Sequence, residues 1–241
     1  QSSRPPAEAL TSTRMARRAV INGPSAPLRF EDYPIPDAPS GLVRVRIQYS
    51  GVCHSDLHIR DDDGVSFGVK LRDIIGDDGF KKIVLGHEIA GYIDEIGPDS
   101  GAETYGFKKG DSVAVYPWKG CNACSVCGTG SNNLCADPAL VLFFTGCGPD
   151  NPGGYATHVL VLPKFLIKIP ENVPGDVAAL LTCSGGTAYS AVQKIKAGVE
   201  FGASTAKNGL ARVLIEGAGG LGLWAIRFVK ALYPGKVHVV V

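Results

Sequence analysis

The chain has 241 residues, 45% hydrophobic and 20% charged, with 24 Lys and Arg against 23 Asp and Glu and a formal charge of +1. That is a globular composition with room for one large domain or two small ones, and its balance excludes the clustered positive charge on which nucleic-acid or polybasic membrane binding rests. No apolar run approaches the roughly 20 residues that cross a bilayer, the longest being stretches such as Ala139–Phe144, so neither nucleic acid nor membrane is an expected partner.

Residues 1–15 are expected to form a disordered extension. Gln1 to Arg14 is polar, contains Pro, Ser and Arg, and shows no periodicity. A transit-peptide remnant is the other reading, opposed by its shortness and by Glu8. From Arg17 to about Val161 come short β-like runs separated by Gly and Pro: Ala19–Ile21, Leu42–Gln48, Ile89–Ile96, Ser112–Tyr116 and Tyr155–Val161. Such spacing predicts a compact, mainly antiparallel β domain with long loops. Between His58 and Gly86 a loop-like stretch is expected, its acidic clusters Asp61–Asp63 and Asp77–Asp78 reading as solvated surface.

After Pro170 the character changes. Asp176 to Lys196 predicts a helix with Asp176 as cap and an interruption at Ser184–Gly186. Arg212–Glu216 then predicts a strand, Gly217–Gly222 a glycine turn, the residues to about Leu232 a helix, Pro234–Gly235 a turn and Lys236–Val241 a second strand. This is one βαβ unit. A doubly wound sheet needs several to cover both faces, so the second domain is expected to be incomplete as given. The connection Lys196–Gly209 has no assigned element.

Seven cysteines in a chain this long, odd in number and without a signal-peptide core, do not read as a disulfide scaffold. Four of them fall within fifteen residues, as Cys121-x2-Cys124-x2-Cys127-x7-Cys135 on a Gly/Asn/Ser-rich loop. They read as metal ligands in a reducing compartment, and the expected location is cytoplasmic. Four thiolates on one loop suit a closed, tetrahedral structural zinc site. A nucleic-acid zinc knuckle would need the same cysteines, but the basic and aromatic interleaving is missing. A dispersed set, Cys53, His87 and Cys183, has the two-cysteine, one-histidine composition of a catalytic zinc site with its fourth position open; each residue alone reads more often as packing than as ligand. Zinc there acts on an alcohol or carbonyl oxygen as a Lewis acid. Gly217, Gly219 and Gly222, with Gly220 and Leu221 between them, form a GxGxxG pattern after an apolar strand and before a helix, where backbone N–H groups receive a pyrophosphate.

Gly51-Val52-Cys53-His54-Ser55-Asp56-Leu57-His58, Gly86-His87-Glu88, the four-cysteine loop, Cys183 followed by Thr187, and the glycine turn together resemble the zinc-dependent medium-chain alcohol dehydrogenases from about Met15 to Val241. The resemblance implies an α/β chain: a mainly β GroES-like catalytic domain at 16–170, and a partial Rossmann NAD(P)-binding domain, its first βαβ unit, at 171–241. Catalysis would lie in the cleft between them. It also implies that the chain is truncated at its C-terminus, because that family's chains run on to finish the sheet and return to the catalytic domain.

By position, the resemblance makes Cys53, His87 and Cys183 the catalytic zinc ligands and Cys121, Cys124, Cys127 and Cys135 the structural ones, two zinc ions per chain. Glu88 would stand near the metal and influence ligand exchange, and Asp56 would orient the histidine ligand. Ser55 would meet the substrate hydroxyl and His58 would end a proton relay. His54 would contact the cofactor pyrophosphate and Thr187 the nicotinamide ring. The implied reaction is hydride transfer between an alcohol and NAD(P), giving an aldehyde or ketone, with NAD(H) preferred over NADP(H). A homodimer or homotetramer is implied for a full-length form. Two other readings remain: a truncated, catalytically inactive zinc-binding protein of the same descent, and a redox sensor acting through its thiols.

Overall fold

Pairing of apolar strands of alternating polarity builds the larger part of the molecule. The structure is a computed structural model that describes residues 15–64, 70–73, 76, 81–121, 123–135 and 153–241. The expected extension over residues 1–14, Asp77–Asp78 and the run Ala139–Phe144 lie outside the described residues.

Strands β1 (Met15–Asn22) and β2 (Arg29–Pro34) form an antiparallel pair to which β4 (Lys81–Ile83) adds on the far side of β1. A five-stranded antiparallel sheet follows, in the order β7 (His158–Val161), β3 (Val43–Gly51), β5 (Glu88–Ile96), β6 (Ser112–Val115) and β8 (Leu166–Lys168). One face of this sheet carries Val43, Val45, Ile89, Ile93, Val113, Val115, Val159 and Val161 into a single buried cluster. The opposite face of β5 and β6 presents Ala90 and Ala114, and the short helix α3 (Gly175–Leu180) lays Ala178 and Ala179 against them. Small residues on both partners let helix and sheet approach closely, which is why β5 is buried on both faces along its first half.

The expected mainly antiparallel β domain is what the strands form, with two corrections. Between His58 and Gly86 the chain is not all loop: helix α1 (His54–Asp61) runs past His58, and β4 lies in the same interval. Nor is Asp61–Asp63 simply solvated surface. Asp62 is buried, in the left-handed region at φ 52°, and accepts hydrogen bonds from Arg72 N at 3.1 Å and Arg72 Nε at 3.0 Å. A neighbouring cation arriving from ten residues downstream converts part of an acidic run into a tie.

Beyond α3 the helical path does not break at Ser184–Gly186 as expected; it widens into a π-helical turn, Leu181–Gly185, and continues as α4 (Gly186–Lys194). The cap also differs. Pro174 occupies the N-cap position, and Asp176 sits inside the first turn, where its negative charge still suits the helix N-terminus. The unassigned connection Lys196–Gly209 is largely helix α5 (Lys196–Thr205), whose Val199 is buried with Val192, Ala211, Val229 and Tyr233.

Strands β9 (Ala211–Leu214) and β10 (Val237–Val240) pair in parallel, joined by helix α6 (Gly220–Leu232). The strand, glycine turn, helix and strand expected from the sequence are all present. Leu214 on this two-stranded sheet is 74% exposed. Among the described residues no helix is long and apolar enough to cross a membrane.

Candidate metal centres and cofactor turn

The β3–β5 pairing sets two of the chemically active residues side by side. Gly51 at the end of β3 pairs with Glu88 at the start of β5, so Cys53, two residues beyond the pair, and His87, one residue before it, emerge at the same end of the sheet. Gly51 is required there, since a Cβ would lie 2.0 Å from Glu88 Oε2. The third residue, Cys183, sits in the π-helical turn at the end of the helix laid over this sheet; such turns recur where a side chain must be re-aimed into a site. One ligand atom from each of Cys53, His87 and Cys183 lies within 4.8 Å of the others. The two sulfurs are 4.0 Å apart, close to the about 3.8 Å edge of a tetrahedral site with Zn–S near 2.3 Å.

Cys53 is also the N-cap of α1, in a capping box closed by Asp56, whose Oδ2 accepts the Cys53 N–H at 3.0 Å. Asp56 is 1% exposed. Its Oδ1 accepts Gly86 N–H at 3.0 Å and lies 3.3 Å from His87 Nδ1, while Oδ2 also accepts the Tyr155 hydroxyl at 3.1 Å. Burial works to raise this carboxyl's pKa, but hydrogen bonding and charge from His87 and the Cys53 and Gly86 amides outweigh it, and Asp56 is held below the usual carboxylate range. His87 shows the complement: burial disfavours a charged ring, yet Asp56 and Cys53 push its pKa up to about 9. The hydrogen bond from Cys183 drives the Cys53 thiol down, with burial opposing and His87 assisting, while the same contact and burial push Cys183 up. Glu88, buried beside them, is raised by burial and then by the charge at Cys53; its Oε1 lies 3.4 Å from Ser184 N–H. The cluster is therefore a desolvated, anion-rich set of soft and imidazole donors, the chemistry that favours zinc.

The second group, Cys121, Cys124, Cys127 and Cys135, is gathered by the loop itself. Helix α2 (Ser125–Gly128) is a single turn capped by Cys124. All four sulfurs lie within 4.8 Å of one another, with Cys121 and Cys127 3.9 Å apart and Cys124 and Cys135 4.0 Å apart. Backbone N–H groups point at the sulfurs: Cys124 N to Cys121 Sγ at 3.2 Å, Cys127 N to Cys124 Sγ at 3.4 Å and Cys121 N to Cys135 Sγ at 3.4 Å. Those separations are far from a bonded sulfur pair of about 2.05 Å and fit four thiolates around one tetrahedral ion.

The remaining candidates divide between α1 and the C-terminal unit. On α1, the rings of His54 and His58 stack 5.1 Å apart at 10°, and His58 Nδ1 lies 2.6 Å from Asp63 Oδ2. Ser55 is one turn from His58 on the same helix. At the glycine turn, Gly217 has φ +89°, and a Cβ on Gly222 would lie 1.9 Å from Gly217 O. Around Gly219 and Gly220 nothing lies within 4 Å of an added Cβ, and Gly219 is the N-cap of α6 with no side-chain cap hydrogen bond, so among the described residues no side chain occupies this helix N-terminus. Thr187 is exposed in the first turn of α4.

Residues 39–171 match the alcohol dehydrogenase GroES-like domain family. This chain belongs to that family. It is 40% identical over 208 residues to an NAD-dependent alcohol dehydrogenase of Sulfurisphaera tokodaii, covering 86% of this chain and 53% of that protein. It is 36% identical over 205 residues to the vomilenine reductase of Rauvolfia serpentina, covering 82% of this chain and 48% of that protein. The structure of acetophenone reductase from Geotrichum candidum in complex with NAD superposes with a TM-score of 0.67 at 31% identity, over 93% of this chain and 57% of that one. The chain spans about half the length of the curated relatives it matches.

Within this alcohol dehydrogenase domain two partners escaped the reading of the sequence. Asp63, which faces His58, lies in the acidic run that the sequence presents as surface. Tyr155, which faces Asp56, does not open a strand: β7 begins at His158, and Tyr155 lies in the crossing segment that follows Gly153-Gly154.

Proposed function

We propose that this chain carries the catalytic centre of a zinc-dependent alcohol dehydrogenase that transfers hydride between an alcohol and NAD, giving an aldehyde or ketone. Residues 16–170 are the GroES-like catalytic domain and 171–241 the first βαβ unit of a Rossmann domain. The observation that carries the reading is the convergence of Cys53, His87 and Cys183, from three separate parts of the chain, on one buried point backed by Asp56. The NAD-dependent alcohol dehydrogenases among its relatives support the choice of cofactor.

Cys53, His87 and Cys183 would hold the catalytic zinc, and Cys121, Cys124, Cys127 and Cys135 a structural one. When bound, zinc and the nicotinamide supply Lewis acidity toward the substrate oxygen and a hydride acceptor. The protein does the rest. Asp56 fixes the His87 ring from Nδ1, leaving Nε2 for the metal. The Ser55 hydroxyl would receive the substrate's hydroxyl proton and His58 would stand at the outer end of a relay that runs through the cofactor ribose, its ring held at Nδ1 by Asp63. Glu88, buried beside the ligand set, would influence ligand exchange at the metal. His54 and the N–H groups at Gly219, Gly220 and Leu221 would receive the pyrophosphate on the turn formed by Gly217 and Gly222, and Thr187 would meet the nicotinamide.

The test is a metal count on the zinc-loaded chain, followed by NADH absorbance across a panel of primary, secondary and benzylic alcohols. Two zinc ions and turnover that disappears in Cys53→Ala and His87→Ala are expected. Two ions without turnover would favour the catalytically inactive relative; a single ion would rule out the catalytic centre.

A further inference from the structure

Gly153, Gly154 and Tyr155 run alongside the three residues that lead into His87. Gly153 N–H donates to Val84 O at 3.0 Å, Gly154 N–H to Gly86 O at 2.6 Å, and Tyr155 N–H to Leu85 O at 2.8 Å. The contact is close enough that neither glycine can carry a side chain: a Cβ at 153 would lie 2.4 Å from Val84 O, and one at 154 would lie 2.4 Å from Ser50 Oγ. Gly86 is constrained twice, by φ +95° and by the Tyr155 ring, whose Cδ1 would stand 2.7 Å from a Cβ there. The ring packs on the cluster of Ile21, Ile59, Leu71, Ile83 and Leu85, and only its hydroxyl leaves that apolar setting, to reach Asp56. A further bond, from Ala19 N–H to Tyr155 O at 2.8 Å, ties the segment to β1.

The consequence lies in the geometry of Asp56. A carboxylate has about four acceptor directions, and here each oxygen has two partners: Cys53 N–H and Tyr155 Oη on Oδ2, Gly86 N–H and His87 Nδ1 on Oδ1. Three of those partners belong to the two ligand-bearing loops. Tyr155 is the one that comes from a third segment, tied both to the residues leading into His87 and to β1, so it adds a restraint on the carboxylate plane that neither ligand-bearing loop supplies by itself. Burial first, and the neighbouring Asp56 charge second, raise its pKa, so the phenol stays a donor throughout the neutral range.

We propose that Tyr155 is a positioning residue for the metal site: by donating its hydroxyl to Asp56 it locks the carboxylate that orients His87, and so sets metal retention at the Cys53–His87–Cys183 centre. This rests on the reading of that centre as a metal site.

The test uses Tyr155→Phe, which keeps the ring against Gly86 and removes only the donor. Loss of a residue that directly contacts a metal-bound histidine lowers affinity about 10- to 100-fold; one contact further out, a loss of roughly three- to tenfold is expected. Zinc retention is read by chelator competition, and the geometry by the visible absorption of the cobalt-substituted protein. The four-cysteine loop serves as internal control, because a merely structural role for Tyr155 would leave both sites alone or loosen both. Selective weakening of the Cys53–His87–Cys183 site with a displaced cobalt band supports the proposal. Unchanged retention and spectrum, or equal loss at both sites, overturn it while leaving the metal reading intact. A parent protein that binds metal only at the four-cysteine loop overturns both. Should the phenylalanine variant not fold, 3-fluorotyrosine at position 155 keeps the shape and strengthens the donor; a displaced cobalt band supports the proposal and an unmoved one overturns it.

Discussion

Gly222 lies directly beneath Gly217: a side chain at 222 would begin 1.9 Å from the Gly217 carbonyl oxygen, whereas one at Gly219 would meet nothing within 4 Å. The two glycines of one motif therefore have different physical reasons. Gly222→Ala must push the backbone of the turn away from α6 and should cost about 1–3 kcal/mol, as overpacking does. Gly219, at φ −76°, accepts alanine without strain, so Gly219→Ala should change stability by no more than about 0.5 kcal/mol while weakening NAD binding. Urea midpoints and NAD titration of the two variants separate the cases.

If the proposed structural zinc is bound, the four-cysteine loop should depend on it. Without an ion, the four sulfurs are held within 4.8 Å of one another by weak hydrogen bonds to and from sulfur, with Cys127 buried among them. A strong chelator is expected to make four further thiols react with a colorimetric thiol reagent and to open the loop to limited proteolysis. Re-addition of zinc should reverse both. Thiols that stay equally reactive with zinc saturating would favour the redox-sensing reading instead.

A third prediction concerns the sheet's buried cation. Arg44 on β3 is 4% exposed and binds Asp94 Oδ2 at 2.6 Å, Glu95 Oε2 at 2.5 Å and Pro36 O at 2.7 Å. Arg44→Met should destabilise by roughly 2–3 kcal/mol, less than the about 3–5 expected for breaking a fully buried pair, because Asp94 and Glu95 keep access to water. The same contact has a pH signature. Burial raises the Asp94 pKa, but the Arg44 hydrogen bonds and charge win, and the folded-state value is depressed. The unfolded chain therefore binds that proton more readily, so the contribution is present above the ordinary carboxylate pKa of about 3.9 and is lost as pH falls below it. Stability measured from pH 6 to pH 2 should fall less steeply in Asp94→Asn.

Gly91 is the close-approach point of β3 and β5, where an added Cβ would lie 2.1 Å from Arg46 O. Gly91→Ala should loosen this pairing, which sets Cys53 beside His87. Weaker metal retention at that centre, with the four-cysteine loop unaffected, is the expected result in a competition assay.

The sequence alone determined what depends on local spacing. Four cysteines within fifteen residues can close on one ion because a single loop brings them together, and the strand, glycine turn and helix from Ala211 to Leu232 follow from apolar periodicity and the φ demands of glycine. Missing from the pattern were β2, β4 and β8: Arg29–Pro34 is polar and held by cross-strand ion pairs such as Arg17–Asp32, and the other two have only three residues each.

At the Cys53–His87–Cys183 cluster the residue types were legible but their company was not. Resemblance pointed to Cys53, His87 and Cys183, yet only the β3–β5 register and the π-helical turn brought them within reach of one another. The same is true of Asp62 meeting Arg72 and of Tyr155 completing Asp56. Each joins side chains whose meeting depends on how separate backbone segments pack, and such a contact leaves no periodicity in the chain. Sequence specifies these donors and acceptors one at a time; desolvation and the fixed distances of the tertiary structure decide which of them act together.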